Sequence, residues 1–362
     1  MRLMYISGTY FPACGGAEIS VHTFLKYAVK KSYDVLVLSD IDKVKNVIDY
    51  DGVCVKGINH NEREEQILQS IQNFNPDCIV TQLMWSDVAL KIAKIKKNPS
   101  ILRFCKVPAY LDISLNSQFS PSEIIVVSNF VQEYVRENFR RESQIIPPPI
   151  NLNEVIYRND KKPKYITMFN PNLKKGGNIF RDVAHQMPTH NFAVVLGWDI
   201  LKEGITTDNE MLKRLCESLR IEYKGQRIDD VDFSDLPNVK VFPFTYDVSD
   251  IYAQSRIICV PSQWQEAYGR VSIEAMANSI PVIGSDVGGL SEIVHTGGVV
   301  VKDYQNPKKW IAEIQKLDDK QHYFEISQRG REYIDRNYNF TKICEDFLDI
   351  IEKNRFRKQI AY

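Results

Sequence analysis

Along the chain, short, mainly apolar runs alternate with longer stretches whose apolar residues recur every three or four positions. The first kind marks a strand covered on both faces, the second a helix with one buried face. In the first half the predicted strands are Leu3–Ser7, Asp34–Leu38, Val53–Ile58, Cys78–Thr81, Ile101–Phe104 and Ile124–Val127. A second set follows at Tyr165–Phe169, Phe192–Leu196, Val239–Phe242, Ile257–Val260 and Pro281–Gly284. Strands separated by helices predict parallel sheets sandwiched between helices, the doubly wound α/β architecture, here built twice with a cleft between. Pro147, Pro148 and Pro149 interrupt the pattern, and the polar run Asn151–Lys164 after them has too few apolar residues for a core. We therefore divide the chain into a domain at 1–150, a linker at 151–163, a second domain at 164–340 and a terminal helix at 341–362. The terminal helix rests on Phe340, Ile343, Cys344, Phe347, Ile350 and Ile351 at helical spacing.

Composition narrows the class. At 362 residues, about two domains are expected. Lysine plus arginine equals aspartate plus glutamate at 46 each, so no net charge draws the chain to nucleic acid or to an anionic membrane. The basic tail Lys353, Arg355, Arg357, Lys358 reads as solvated charge, with weak peripheral membrane contact as its functional reading. The seven cysteines are scattered without a C-x-x-C pair, which excludes a disulfide framework and a zinc knuckle and predicts reduced, buried thiols. The first strand begins almost at Met1 and no apolar run reaches bilayer length, so we read the chain as cytoplasmic.

Chemistry concentrates between residues 261 and 292. Glu266 and Glu274 stand with seven residues between them, on either side of Tyr268-Gly269-Arg270. Helix formers with an apolar face at Val271, Ile273, Ala275, Met276 and Ala277 predict a helix over Tyr268–Asn278. That places Glu266 before the helix and Glu274 about two turns inside it. The amides near Gly269, Arg270 and Val271 then lie at the positive end of a helix, where phosphate binds well. Carboxylates flanking a phosphate cradle suit a sugar nucleotide; without further context, two solvated glutamates are the plainer reading. Two more loops stand between a strand and a helix: Tyr10 to Glu18 with Gly15 and Gly16, and Phe169 to Gly177 with Asn170, Lys174 and Lys175. Glycines let backbone approach a ligand, although the dinucleotide spacing G-x-G-x-x-G is missing. Lysines in a loop are by default a solvated pair.

The string E-A-Y-G-R-V-x-I-E-A-M-A, with I-P-V-I and D-V-G-G-L-x-E after it, closely resembles the donor-site signature of retaining glycosyltransferases of the large family four. Gly15-Gly16-Ala17-Glu18 is similar to the glycine loop of the same enzymes. The resemblance implies a GT-B fold, two Rossmann-like domains facing across a cleft, with the acceptor side in the first and the nucleotide-sugar in the second. It implies retaining transfer of a sugar from a nucleotide-diphosphate donor to a hydroxyl of a sugar, lipid-linked or protein acceptor, as in polysaccharide synthesis. Glu266 would contact the donor sugar and Lys175 the leaving diphosphate, as the catalytic pair. Gly15, Gly16, Asn170, Lys174, Tyr268, Gly269, Arg270, Val271 and Glu274 would line the donor, Glu274 holding the ribose. The resemblance also has the terminal helix cross back onto the first domain. Ser262 and the Phe242–Thr245 segment are placed near the base by position, and Gly288 with Gly289 reads either as a cleft loop or as a plain turn.

Departures from the family pattern are specific. Asn170 stands where an arginine is common, and the strand Ile101–Phe104 is followed by Cys105, Lys106 and Val107 where many relatives have a histidine, leaving Arg103 or Lys106 for that place. None of the six histidines has a catalytic assignment; His22 could lie on the helix after the glycine loop, where a packed or exposed side chain is the plainer reading. Asp40-Ile-Asp42 and Asp230-Val-Asp232 match the metal-binding Asp-x-Asp of the other great glycosyltransferase fold, but so short a string is expected by accident among 46 acidic residues. With helix amides and Lys175 available, we expect neither metal nor cofactor. Trp198–Pro237, with a helical stretch near Glu210–Leu219, reads as an insertion. Rival readings are a nucleotide-sugar epimerase or a phosphorylase of the same architecture, and a catalytically silent sugar-nucleotide-binding protein.

Overall fold

The computed structural model describes residues 1–10, 15–40, 47–104, 121–157, 161–197, 231–245 and 247–360. They form two units, one of residues 1–150 with 340–362 and the other of residues 151–339. The first contains an eight-stranded sheet in the order β3-β4-β2-β1-β5-β6-β7-β8. Its strands are β1 Arg2–Ile6, β2 Asp34–Ser39, β3 Val47–Tyr50, β4 Val53–Gly57, β5 Cys78–Thr81, β6 Ser100–Phe104, β7 Glu123–Val126 and β8 Gln144–Ile145. All pair in parallel except β3, which runs antiparallel to β4. Leu3 to Ile6 and Cys78 to Thr81 are fully buried, which is why their sequences show no polar alternation. Helices α1 Gly16–Lys30, α2 Arg63–Phe74, α3 Ser86–Ile95 and α4 Asn129–Phe139 connect the strands.

Strand β4 was expected at Val53–Ile58, but β3 and the edge hairpin it forms with β4 are absent from the sequence expectation. Its signal is Asp51-Gly52, both left-handed at φ 54° and 83°, the pair that a tight two-residue hairpin requires. Helix α1 begins at Gly16, three residues before the expected start, because Ala17 and Glu18 are good first-turn residues and Glu18 meets the positive helix end. The terminal helix Phe340–Ile360 lies in this unit, with the Phe347 ring stacked on Phe24 at 4.2 Å between centroids. Arg355, from the basic tail, lies 3.9 Å from Asp77. His22 is buried, as a packed side chain should be, between the Tyr10 hydroxyl at 2.8 Å and Asp51 at 3.4 Å.

The second unit has six parallel strands in the order β11-β10-β9-β12-β13-β14. They are β9 Tyr165–Phe169, β10 Phe192–Val195, β11 Val239–Phe242, β12 Ser255–Val260, β13 Val282–Ser285 and β14 Val299–Val301. Helices α5 Leu152–Val155, α6 Gly177–Gln186, α7 Ser249–Gln254, α8 Arg270–Ala277, α9 Gly288–Gly297, α10 Pro307–Lys316 and α11 Lys320–Asn337 surround them. The core joins Ile166, Met168, Phe180, Phe192, Ile257, Ile283 and Trp310. Residues 151–157 of the segment expected as a linker pack on this unit: Val155 is buried, its carbonyl accepts from Asn278 Nδ2 at 3.1 Å, and the Tyr157 amide donates to Asn278 Oδ1 at 3.0 Å. One apolar residue and one asparagine clamp hold this stretch. Strand order reverses between β9 and β12, which puts a topological switch point at their carboxyl ends, the usual ligand position in such sheets.

Of the described cysteines, Cys78, Cys259 and Cys344 are buried and Cys54 is half-buried. Burial, with Asp77 adding to it, pushes the Cys78 thiol up to about 12, the opposite of a reactive thiolate. No helix among the described residues is long and apolar enough to cross a membrane. The expected insertion helix near Glu210–Leu219, Lys106, Cys14, Cys105, Cys216, and Asp42 and Asp230 of the two Asp-x-Asp strings lie outside the described residues.

Candidate active site

The site is assembled at the carboxyl ends of β9 and β12 from two stitched loops. After β9, Asn170 turns the chain at φ 56°, its amide donating to the Val195 carbonyl at 2.8 Å and its Oδ1 accepting from Asn172 Nδ2 at 2.9 Å. Asn172 in turn accepts the Lys175 amide at 2.9 Å, capping the single 3₁₀ turn Leu173–Lys175. Gly176 then takes φ 83°, and a Cβ there would run into the Pro261 carbonyl at the start of the other loop. The Gln263 amide donates to the Lys174 carbonyl at 2.8 Å. Edge to edge, the loops deliver Lys175 to Glu266.

Lys175 Nζ donates to Glu266 Oε1 at 2.5 Å. The same oxygen accepts from Trp264 Nε1 at 2.9 Å and from the Ser262 hydroxyl. Three donors thus converge on one carboxylate oxygen, while Oε2 takes no hydrogen bond among the described residues and the side chain stays 12% exposed. Burial alone would raise the Glu266 carboxyl; the Lys175 ammonium and the hydrogen bonds from Lys175, Ser262 and Trp264 outweigh it and hold the group below its ordinary value. Glu266 is therefore an ionised acceptor with one oxygen saturated and the other open. Its main chain is fixed as well: the Gly289 amide donates to the Glu266 carbonyl at 2.7 Å, and Gly288, at φ 50°, brings bare backbone against Glu266 where a Cβ would collide. Gly288 and Gly289, the first residues of α9, thus form the floor under this glutamate.

Helix α8 starts at Arg270 and not at Tyr268, since Gly269 sits at φ 119°, outside any helix. Glu274 is consequently the fifth helical residue, just beyond one turn instead of two. Its Oε2 accepts from the Tyr252 hydroxyl at 2.7 Å and its Oε1 from Arg270 at 3.1 Å. Burial, reinforced by the charge of Glu274, pushes the Tyr252 hydroxyl well up, so it remains a neutral donor. Arg270 is engaged by Glu274 at helical i, i+4 spacing, leaving Lys175 the cation aimed at Glu266. Lys174 lies 5.8 Å and Lys175 5.1 Å from the Trp264 ring centre. Tyr268 and Val271 are half-buried; burial raises the Tyr268 hydroxyl, with Tyr338 and Tyr333 of the neighbouring chain stretch adding to it.

The structure brings together Lys174, Lys175 and Glu266, and separately Arg270 with Glu274. Asn170 is spent on its own turn, facing Gly197 where that residue lacks a Cβ. Ser262, expected near the base, holds Glu266 instead because a buried hydroxyl four residues before a carboxylate in a tight loop is within its reach. Trp264 and Tyr252 were not foreseen. Trp264, two residues from Glu266, had a usable signal in an indole N–H beside a carboxylate in a loop; Tyr252, on another helix, had none. Gly15 and Gly16 lie in the first unit, where the Glu18 side chain occupies the space a Cβ on Gly15 would need. Among the described residues no group of three or more metal-binding side chains assembles, and Asp232 spends its carboxylate on Ser234 at 2.9 and 3.0 Å.

Two doubly wound parallel sheets with this connectivity define the GT-B architecture. Over 98% of its length the chain superposes on a glycosyltransferase from Rickettsia africae, covering 98% of that chain with a TM-score of 0.71 at 17% identity. It superposes equally on Anabaena HepE in complex with UDP-glucose, covering 98% of this chain and 100% of that one, with a TM-score of 0.74 at 15% identity. Residues 232–333 match the family model Glycosyl transferases group 1. Among curated relatives, spore coat protein SA of Bacillus subtilis is 33% identical over 130 residues, 35% of this chain and 33% of that protein. An uncharacterized glycosyltransferase of Haemophilus influenzae is 29% identical over 157 residues, 42% of this chain and 40% of that protein. The matches thus span about a third to two fifths of these relatives.

Proposed function

We propose that the protein is a retaining glycosyltransferase that moves a sugar from a nucleotide-diphosphate donor to an acceptor hydroxyl. One observation carries the reading: the Glu266 carboxylate is saturated on one oxygen by Lys175, Trp264 and Ser262 and left open on the other, beside the start of α8. An open, ionised oxygen suits sugar hydroxyls, and an adjacent ammonium with a helix N-terminus suits a diphosphate. Fold neighbours crystallised with UDP and UDP-glucose support a uridine or related nucleotide donor.

In the reaction, the bond from the anomeric carbon to the diphosphate breaks as the acceptor oxygen bonds to that carbon on the same face. The acceptor's proton passes to an oxygen of the departing phosphate, so no enzyme nucleophile is required. Lys175 exchanges part of its pairing with Glu266 for the growing phosphate charge, and Glu266 orients the sugar through Oε2. Catalysis then comes from positioning and fixed charge. Glu274 holds the ribose diol, with Tyr252 and Arg270 keeping its carboxylate in place. Fixed cationic and amide donors support turnover without a metal: a strong chelator leaves the rate unchanged, and a loss of activity restored by magnesium or manganese sinks that part.

The test is nucleotide release, followed by mass spectrometry, from a panel led by UDP-sugars and GDP-mannose. Acceptor-dependent release is the expected result. Interconversion of free donors without acceptor would identify an epimerase, phosphate-dependent cleavage a phosphorylase, and binding without release in any mixture a silent binding protein.

A further inference from the structure

The first unit contains a buried carboxylate that the donor chemistry does not use. Glu18, in the first turn of α1, is 7% exposed. Thr9 Oγ1 donates to its Oε1 at 2.9 Å, and among the described residues this is its one hydrogen bond. A glutamate at this helix position ordinarily turns back to take the cap residue's amide; here the side chain lies against Gly15, and its one hydrogen bond among the described residues is to Thr9. Oε2 is left without a donor, although it is not sealed from solvent. A largely buried carboxylate with a single neutral donor is under-solvated even at the positive end of α1, and a ligand hydroxyl on the open oxygen would complete its hydrogen bonding.

Its surroundings are those of a binding site. Sheet order reverses between β1 and β5, whose carboxyl ends form this unit's own switch point. Ser7 Oγ, at the end of β1, donates to the Gln82 carbonyl at 2.9 Å, and Gln82 Nε2 donates to the Ala17 carbonyl, next to Glu18, at 3.2 Å. The Gly8 amide donates to the Met84 carbonyl at 3.0 Å, and a Cβ on Gly8 would lie 2.8 Å from Met84 Cβ. In the same turn Leu83 and Trp85 are held left-handed at φ 57° and 72°, a conformation bulky residues keep only where the surroundings enforce it. Strain, close backbone approach and an underused carboxylate coincide at one strand end.

We infer that Glu18 Oε2 is the hydrogen-bond acceptor for a hydroxyl of a neutral sugar, the acceptor substrate of the transfer; this rests on the glycosyltransferase reading above. A carboxylate oxygen takes hydroxyl donors and offers nothing to a phosphate or carboxylate, so the site suits neutral polyols. It also assigns Gly15 a different role from a diphosphate contact. Gly15 is at φ −84°, which any residue adopts, so glycine is needed there for the room it leaves to the Glu18 carboxylate.

The test titrates methyl α-glycosides of glucose, galactose, mannose and N-acetylglucosamine into the full chain by calorimetry, with UDP and GDP measured in parallel. At least one glycoside binds the wild type; Glu18→Ala weakens it about tenfold or more and Glu18→Gln about threefold, as loss of a charge-assisted hydrogen bond dictates, while nucleotide affinity is unchanged. Gly15→Ala weakens the same glycoside and adds nothing in the Glu18→Ala background, because both act through one carboxylate. Thermal melts identify any variant that fails to fold, and Glu18→Gln and Gly15→Ala then decide. Glycoside binding that is absent from the wild type, or equal in wild type and Glu18→Ala, overturns the inference. Failure of the wild type to bind either nucleotide, with the glycoside effects intact, sinks the donor reading and leaves this one standing.

Discussion

At the scale of single residues, the account turns on which oxygen of which carboxylate is occupied. Lys175→Ala removes both the partner of Glu266 and the cation for the leaving group, and turnover should fall about 100- to 1000-fold, the usual cost of one charge-stabilising group. Near-normal turnover in that variant would refute the charge role. Glu274→Ala instead weakens donor binding with a much smaller effect on kcat, read as a raised donor KM. The pH dependence of Glu266 follows from the direction of its shift. Its folded carboxyl titrates below the ordinary value, so its contribution to stability is present above the unfolded-state value and is lost as the pH falls through the lower folded one. The acid limb of kcat should accordingly lie below the ordinary carboxylate range. In Lys175→Met, whose residual rate is measured at high enzyme concentration, burial is no longer offset by the ammonium and the limb moves up.

At the scale of elements, glycines decide where loops can meet. Gly288→Ala puts a Cβ into the Glu266 backbone at a left-handed φ; we expect a loss of about 1–3 kcal/mol of stability in urea titration and a drop in turnover beyond what unfolding explains. Most central strands were legible because residues buried on both faces, as in Cys78–Thr81, have no other reading, and Tyr165–Phe169 and Cys78–Thr81 lie where apolarity put them. The edge hairpin was missed because its outer strand is short and only Asp51-Gly52 marks it. The start of α8 was misplaced because Tyr268 and Gly269 do not forbid a helix, and only the packing of Gly269 against Leu290, 2.8 Å from the position of a Cβ, shows that the chain turns there. Glu266, Glu274 and Lys175 stood out as candidates in their strings, and Lys175 and Glu266 do pair. That Ser262, Trp264 and Lys175 share one oxygen was not, since it depends on two loops joined by the Gln263 amide and the Lys174 carbonyl.

For the whole molecule, the two units each place polar machinery at their own switch point, and the terminal helix belongs to the first unit although it follows the second in sequence. Phe347→Ala removes a fully buried ring stacked on Phe24 and should cost about 3–5 kcal/mol in the unfolding of that unit. The central claim is that a nucleotide diphosphate is held by Lys175 and the first turn of α8, next to Glu266. Its most direct measurement is the structure of crystals soaked with UDP or GDP. The account predicts diphosphate oxygens at hydrogen-bonding distance, about 3 Å, from Lys175 Nζ and from amides at Arg270 and Val271, with the ribose on Glu274. A nucleotide bound elsewhere, with the Glu266 to Glu274 turn empty, would contradict it.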